Sequence, residues 1–219
     1  MKLNQLAWQV VIFLFLLIML PSTFQKGMFL DGVTYAAISR NLANNLGSFF
    51  TPHYTDILYP KFYEHPPLFF IIQSLFFRMI GDYFFTEKIY GLVIFIILIF
   101  GIKKNWDLWS SDEFKQYAWL PIILLFSVPT IIWSNQNNMI ENTLSVFSTW
   151  AVFFISKSII ENKQILLIWG SILIGFAYYT KGVVGLFPLI TPIALSLVLN
   201  KDIPKNILFS IIKLWLISM

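Results

Sequence analysis

The chain has 219 residues, of which 58% are hydrophobic and 18% aromatic, but only 12% are charged. Soluble domains carry about 25% charged residues, so this composition excludes a soluble enzyme, a disordered tail and a nucleic-acid-binding domain. The net charge of +4 does not indicate nucleic acid either, because the lysines are scattered between apolar runs. Without cysteine there is no disulfide, zinc-thiolate site or cysteine nucleophile. A mean hydropathy of +0.73 indicates an all-α, polytopic transmembrane protein.

Charge-free apolar runs predict the membrane spans in chain order. The first has its apolar centre at 7–20 and no small-residue cleavage site after it, so we interpret it as an uncleaved helix rather than a signal peptide. Further runs lie at 83–102, 117–134, 142–160, 164–180 and 183–199. A seventh begins near Ile207 and is cut by the end of the chain, because a crossing needs about 20 residues. We therefore expect six full spans and a truncated seventh in a single module, 1–219, that forms the amino-terminal part of a longer enzyme.

The segment 66–80 decides the orientation. It is apolar but short, and it contains Gln73 and Arg78. If it does not cross, eight lysines share one side, which the positive-inside rule assigns to the cytoplasm. These are Lys2, Lys103, Lys104, Lys115, Lys157, Lys163, Lys201 and Lys205. We therefore expect the amino terminus inside and a long external loop at 22–82, which carries the catalytic residues and surface helices.

The external loop begins with an amphipathic helix pattern at 31–46, which Gly47 is expected to stop. Four apolar side chains fall on one face of this helix: Tyr35, Ile38, Leu42 and Leu46. We expect the helix to lie flat on the outer membrane surface.

This topology brings five ionisable residues to the outer face, namely Asp31, Glu64, His65, Glu141 and Lys181. Ionisable groups at a membrane boundary are costly unless they are paired, hydrated or functional. Carboxylates beside an isolated lysine suit a reaction on a phosphate-bearing lipid. The carboxylates can act as a base or as metal ligands, and the lysine can pair with phosphate.

Each of these residues also has a structural alternative. Asp31 is a good N-cap, worth about 1 kcal/mol, and Glu141 in a first helical turn favours the macrodipole. Lys181, expected in a two-residue turn between the fifth and sixth spans, can extend to the headgroups. His65 can be an ordinary loop histidine.

Three motifs of the external loop resemble the GT-C glycosyltransferases, in the branch of the lipid A aminoarabinose transferase and the protein O-mannosyltransferases. They are Asp31-Gly-Val-Thr-Tyr35, Gly47-Ser-Phe-Phe-Thr-Pro52 and Tyr63-Glu-His-Pro-Pro-Leu68. Further along, Glu141 stands where that family usually has an Asp that opens a helix. The run Gly175-Phe-Ala-Tyr-Tyr-Thr-Lys-Gly182 is similar to its Ala-x-x-Thr-Lys-Gly segment.

The resemblance implies a role for each matching position. Asp31 is the general base on the acceptor hydroxyl, and Lys181 contacts the lipid phosphate. Glu64, His65, Glu141 and Tyr35 form the rest of the donor site. The cofactor stays open, with a divalent metal at Glu64 and Glu141 as one candidate. Departures from the family pattern at Gly32, Thr34 and His65 argue against aminoarabinose itself as the donor sugar.

The expected function is therefore a membrane glycosyltransferase at the outer face of a bacterial inner membrane. It moves a sugar from a polyprenyl-phosphate donor to a hydroxyl of a lipid, glycan or protein acceptor by an inverting displacement. Its partners are these substrates and membrane lipids, with no nucleic acid. The alternatives are a lipid-phosphate transporter or flippase, and a non-catalytic lipid-binding scaffold. Spans without charges in their middles argue against a transporter.

Overall fold

The computed structural model describes residues 2–199, so the expected seventh span, Lys201 and Lys205 lie outside the described residues. Within this range the helices are α1 Lys2–Phe24, α2 Leu30–Ala43, α3 Leu68–Ile80, α4 Thr86–Trp109, α5 Asp112–Lys115, α6 Leu120–Phe126, α7 Pro129–Gln136, α8 Ile140–Glu161, α9 Gln164–Lys181, a 3₁₀ helix Gly182–Ile190 and α10 Thr191–Leu199. The described residues form no strand, and a single bridge joins Gly47 to Pro52. The all-α expectation is confirmed.

Three helical stretches of residues 2–199 are long and apolar enough to cross a membrane: Leu3–Phe24, Ile140–Glu161 and Gln164–Val198. The third is not one straight span. Gly182 has a φ of 64°, and Gly185 beyond it packs so closely on the backbone of Ala177 that no Cβ would fit there. In a continuous helix Ala177 and Gly185 would be about 12 Å apart along the axis. Because they are in contact, the chain turns back at Gly182.

Two expected spans differ in form from the structure. α1 continues through Pro21, so the external loop starts after Phe24 rather than at Ser22. The expected run 117–134 is divided into α6 and α7 at Pro129, which begins α7. Val128 takes an extended conformation with a ψ of 102°, because proline disfavours the helical conformation in the residue before it. The expected run at 117–134 is therefore helical on both sides of a break at Pro129.

The helix α2 has the expected apolar face but ends earlier than expected. Tyr35, Ile38 and Leu42 are buried, whereas Leu46 lies beyond the helix and is 52% exposed. The helix ends before Gly47 because Asn45 already adopts a left-handed φ of 63°. The apolar face of α2 packs on α3, so protein rather than lipid covers it.

The helix α3 is short and packs into the larger apolar core. Its 13 residues rise about 20 Å, which falls short of the roughly 30 Å hydrocarbon core of a bilayer. Its rings Phe69 and Phe70 are fully buried beside Tyr90 and Phe95 of α4 in the larger apolar core. A smaller core joins α8 to α9. The larger core therefore fixes α2 and α3 against the long helices.

Candidate functional site

A buried amide network ties the start of α2 to the turn before α8. The Asn138 side-chain amide donates to the Gly32 carbonyl at 3.2 Å and pairs with the Gln73 amide of α3 at 2.5 and 3.4 Å. Asn138 and Gln73 are 3% and 0% exposed. The Phe29 N–H donates to Asn137 Oδ1 at 2.7 Å. An unpaired buried polar group costs about 1–3 kcal/mol, so this network strongly favours one placement of Asp31 beside the start of α8.

The same contact explains the glycine after Asp31. A Cβ on Gly32 would overlap the backbone carbonyl of Asn137. The Glu that the GT-C pattern usually has at this position therefore does not fit against this turn. The departure at Gly32 follows from close packing between α2 and the turn before α8.

The loop between α2 and α3 positions Glu64 and His65. The Asn41 side chain donates to two loop carbonyls, at 2.8 and 3.1 Å. The Phe62 N–H donates to the Pro52 carbonyl at 2.7 Å, and the Phe62 ring is 1% exposed. This buried ring lies beside the His65 imidazole, with 6.3 Å between ring centroids. The loop thus delivers Glu64 and His65 directly before α3.

Glu141 and Lys181 form an ion pair across the start of α8 and the end of α9. Lys181 Nζ donates to Glu141 Oε1, and the two side chains are 25% and 43% exposed. The second oxygen of Glu141, Oε2, is buried and has no hydrogen-bond partner among the described residues. Lys181 is the last residue of α9, so its expected place in a two-residue turn is wrong. Its ammonium is committed to a carboxylate of this chain rather than to lipid headgroups.

The hydrogen bond between Tyr35 and His65 lies at the centre of these charges. The Tyr35 hydroxyl and His65 Nε2 are 2.9 Å apart. Burial, followed by the carboxylates of Asp31, Glu141 and Glu64, raises the pKa of the Tyr35 phenol. Burial and the Lys181 ammonium lower the pKa of His65, against the opposing effect of the same three carboxylates. We call Asp31, Glu64, His65, Glu141 and Lys181 the acid–lysine cluster, which the structure gathers around Tyr35.

Asp31 is free to meet a ligand. The N-cap of α2 is Phe29, without a side-chain cap, and Asp31 lies in the first turn. The capping alternative for Asp31 is therefore wrong. Its side chain is solvent-exposed, and within residues 2–199 its carboxylate has no hydrogen bond or ion pair. A carboxylate with these properties can accept a proton from a bound hydroxyl.

The acidic residues of the cluster were also candidate metal ligands. In the part of the chain that the structure describes, no three His, Asp or Glu side chains converge closely enough to hold an ion. Lys181 already neutralises Glu141. Glu64 and Glu141 as metal ligands stay a prediction, and the roles of the other cluster residues do as well.

Sequence reasoning missed the two buried amides that build the site. Gln73 stands in an otherwise apolar helix, and Asn138 has a left-handed φ of 55° immediately before α8. A polar amide in an apolar run was the available signal for Gln73. Nothing in the sequence pairs it with Asn138.

The fold is similar to that of two solved structures. One is ArnT from Cupriavidus metallidurans in the apo state, with a TM-score of 0.78 and 18% identity over 96% of this chain. The chain has an ArnT-like fold. The second is the same ArnT bound to undecaprenyl phosphate, with a TM-score of 0.72 and 16% identity over 97% of this chain. No family model matches the sequence, and no curated protein matches it.

This chain spans 40% and 39% of the length of the two ArnT chains. ArnT is a GT-C glycosyltransferase, so the resemblance of the sequence to that family is confirmed at the level of the fold. At this identity an ArnT-like fold does not carry an activity with it, because function depends on the site rather than on the fold.

Proposed function

We propose that this chain carries the catalytic face of a membrane glycosyltransferase that uses a polyprenyl-phosphate sugar donor. One observation carries the proposal. Three carboxylates, one lysine and a Tyr–His hydrogen bond converge where α2 and α8 begin, α9 ends and the loop leads into α3. They do so in a fold shared with an ArnT that binds undecaprenyl phosphate.

The free carboxylate of Asp31 suits the role of general base. In a single inverting displacement, the acceptor oxygen bonds to the anomeric carbon while the bond from that carbon to the donor phosphate oxygen breaks. The hydroxyl proton passes to Asp31, and polyprenyl phosphate leaves. Lys181 can transfer from Glu141 to the leaving phosphate and stabilise its charge.

An apolar cavity beside Glu141 supports a lipid-linked donor. It has a volume of about 400 Å³ and lies between α4, α6, α7 and α8. Its apolar side chains include Leu98, Leu125 and Ile131, and Glu141 lies among its polar ones. A ligand with a charged head and an apolar chain would thus find both environments around one residue, Glu141.

The substitution Asp31→Asn tests the base. General-base catalysis contributes roughly 10²–10⁴-fold in rate. We therefore expect the complete protein with Asp31→Asn to lose turnover by that factor while it still binds donor lipid. Sugar transfer from radiolabelled donor lipid measures the rate. Asp56→Asn, in a fully exposed loop side chain, is the matched control and should retain full turnover.

Two results would contradict this function. Near-normal transfer by Asp31→Asn would remove Asp31 from the mechanism. Movement of labelled lipid across the bilayer with no sugar transfer by the wild-type protein would instead support a flippase.

The cluster is proposed to face the outside of a bacterial inner membrane. Support comes from the lysines at the opposite ends of α4 and α8, since the positive-inside rule places Lys103, Lys104 and Lys157 in the cytoplasm. In a cysteine-free form of the complete protein, we expect Asp56→Cys to react with an impermeant thiol reagent in intact spheroplasts. Glu113→Cys, also exposed, should react only after lysis. The reverse pattern would invert the orientation.

A further inference from the structure

A second cavity lies on the other side of the segment that leads into α2. It has a volume of about 450 Å³ and opens between the end of α1, the start of α4 and the end of α7. Most of its lining is polar. The lining residues are Ser22, Gln25, Lys26, Gly27, Met28, Lys88, Gln136 and Asn137. No residue of the acid–lysine cluster lines it, so it is a separate site.

Its two lysines lack a carboxylate partner. Among residues 2–199, neither Lys26 nor Lys88 has an acidic side chain within ion-pair distance. Lys26 is exposed, and its ammonium lies 5.5 Å from the centre of the Phe84 ring. Glu87, the neighbour of Lys88, lines a different cavity together with Arg40. The lining thus carries two positive charges and no carboxylate.

Lys88 is a built part of this cavity. It is 8% exposed, and its ammonium donates to the carbonyls of Gly27 at 3.2 Å and Gln136 at 2.7 Å. An ammonium has three N–H donors, so one N–H of Lys88 is uncommitted. The charge of Glu87 acts on Lys88 from the neighbouring position, but Glu87 lines the other cavity and forms no ion pair with it. An anion in this cavity would give the buried ammonium a direct partner.

The amides of the lining extend the same chemistry. Gln25 is exposed, and Gln136 donates through its side chain to the Ile18 carbonyl at 3.2 Å. Phosphate oxygens accept hydrogen bonds from ammonium and amide N–H groups, and charge-assisted bonds of this kind are about twice as strong as neutral ones. Two lysines with the exposed amide of Gln25 therefore match a phosphate group better than a sugar hydroxyl or an apolar chain.

We propose that this cavity, the Lys26–Lys88 site, binds a phosphate group distinct from the one proposed at Lys181. Asn137 connects the two regions, since it lines this cavity and its carbonyl contacts Gly32 next to Asp31. Phosphate binding at this site does not depend on the proposed function.

Binding can be measured on the complete protein in a phosphate-free maltoside detergent. The Lys181→Gln background removes the lysine proposed for the donor phosphate. In this background we expect saturable binding of dihexanoyl phosphatidic acid, which isothermal titration calorimetry measures. Adding Lys26→Gln should weaken the affinity about tenfold or more, since a hydrogen bond to a charged group contributes roughly 1.5–3 kcal/mol. Lys61→Gln changes an exposed lysine of the external loop outside the cavity and should leave the affinity unchanged.

Inorganic phosphate as a second titrant identifies the source of the group. Tighter binding of phosphatidic acid assigns the site to a lipid headgroup, and equal binding assigns it to a soluble phosphate. Lys88→Gln should weaken the affinity more than Lys26→Gln does. If Lys88→Gln does not fold, the affinity of Lys26→Gln alone tests the site. The proposal is overturned if neither titrant binds, or if Lys26→Gln and Lys61→Gln behave alike. Loss of this binding leaves the Asp31 test untouched, so the two proposals fail independently.

Discussion

The two ends of the α8–α9 hairpin carry charges arranged in different ways. Where α8 ends and α9 begins, Glu161 pairs with Lys157 at 3.7 Å and with Lys163 at 2.8 Å, so all partners are near neighbours in sequence. At the other end, Lys181 pairs with Glu141, 40 residues away. The acids Asp31 and Glu64 gathered beside that pair have no ion-pair partner within residues 2–199.

This difference separates helix stabilisation from site construction. Ion pairs at i and i+4 form on an isolated helix and are worth about 0.3–0.5 kcal/mol. They need no tertiary structure. The three carboxylates and the lysine at the other end come from four segments, so they meet only when the helices pack together. The buried Asn138–Gln73 pair holds that end together, which is the pattern expected of a ligand site rather than of a stabilising surface.

The largest expected effect on lipid affinity comes from neutralising the lysine at the cluster end of the hairpin, with the lysine at the other end as its control. We expect Lys181→Gln to weaken binding of undecaprenyl phosphate about tenfold to a hundredfold, because a hydrogen bond to a charged group contributes roughly 1.5–3 kcal/mol. Lys157→Gln, in the local pair, should leave this affinity within experimental error. Thermophoresis of the complete protein with the lipid measures both. Equal losses in the two variants would show that only overall charge matters.

A smaller effect is expected from filling the contact between α2 and the turn before α8. Gly32→Ala places a methyl group against the Asn137 carbonyl, and overpacking of this kind typically costs about 1–3 kcal/mol. Gly91→Ala is the matched control on α4, because its Cβ would lie 3.3 Å from the Asn135 carbonyl. There a gain of up to about 1 kcal/mol in helix propensity offsets the crowding. In urea unfolding in detergent, only Gly32→Ala should therefore have a lower midpoint than the wild-type protein. Equal midpoints for Gly32→Ala and Gly91→Ala would contradict the packing explanation.

Much of the fold could be predicted from local patterns. The apolar period of α2 correctly placed Tyr35, Ile38 and Leu42 on one face, although that face packs on α3 rather than on lipid. The run at 66–80 was recognised as short, and the helix within it has 13 residues. Hydropathy alone did not place the division between α6 and α7, because apolar residues continue on both sides of Pro129. Only the local effect of Pro129 on Val128 interrupts the helix there.

The candidate site was predictable in its members but not in its construction. Placing charges by side of the membrane selected Asp31, Glu141 and Lys181, since that argument needs only the order of the spans. The contact between Asn138 and Gly32 joins residues 106 positions apart. No local pattern encodes such a pairing, because it depends on how the helices pack.

The smallest expected effect concerns pH and the histidine of the acid–lysine cluster. Burial and Lys181 lower the pKa of His65 from its ordinary value of 6.5. The unfolded chain then binds a proton more readily than the folded protein does. The contribution of His65 to stability is therefore complete above pH 6.5 and is lost as the pH falls through the lowered pKa. We expect this part of the pH dependence of the unfolding midpoint to disappear in His65→Gln, as measured by thermal unfolding between pH 5 and 8.

The control for this measurement is His53→Gln, which leaves His65 and its hydrogen bond to Tyr35 in place. It should keep the fall in stability at low pH. If the unfolding midpoints of the wild-type protein and of His65→Gln instead depend on pH in the same way, burial and Lys181 do not lower the pKa of His65 in the folded protein. The acid–lysine cluster would then be more open to water than the packing of Tyr35 against Phe69 and Phe70 indicates.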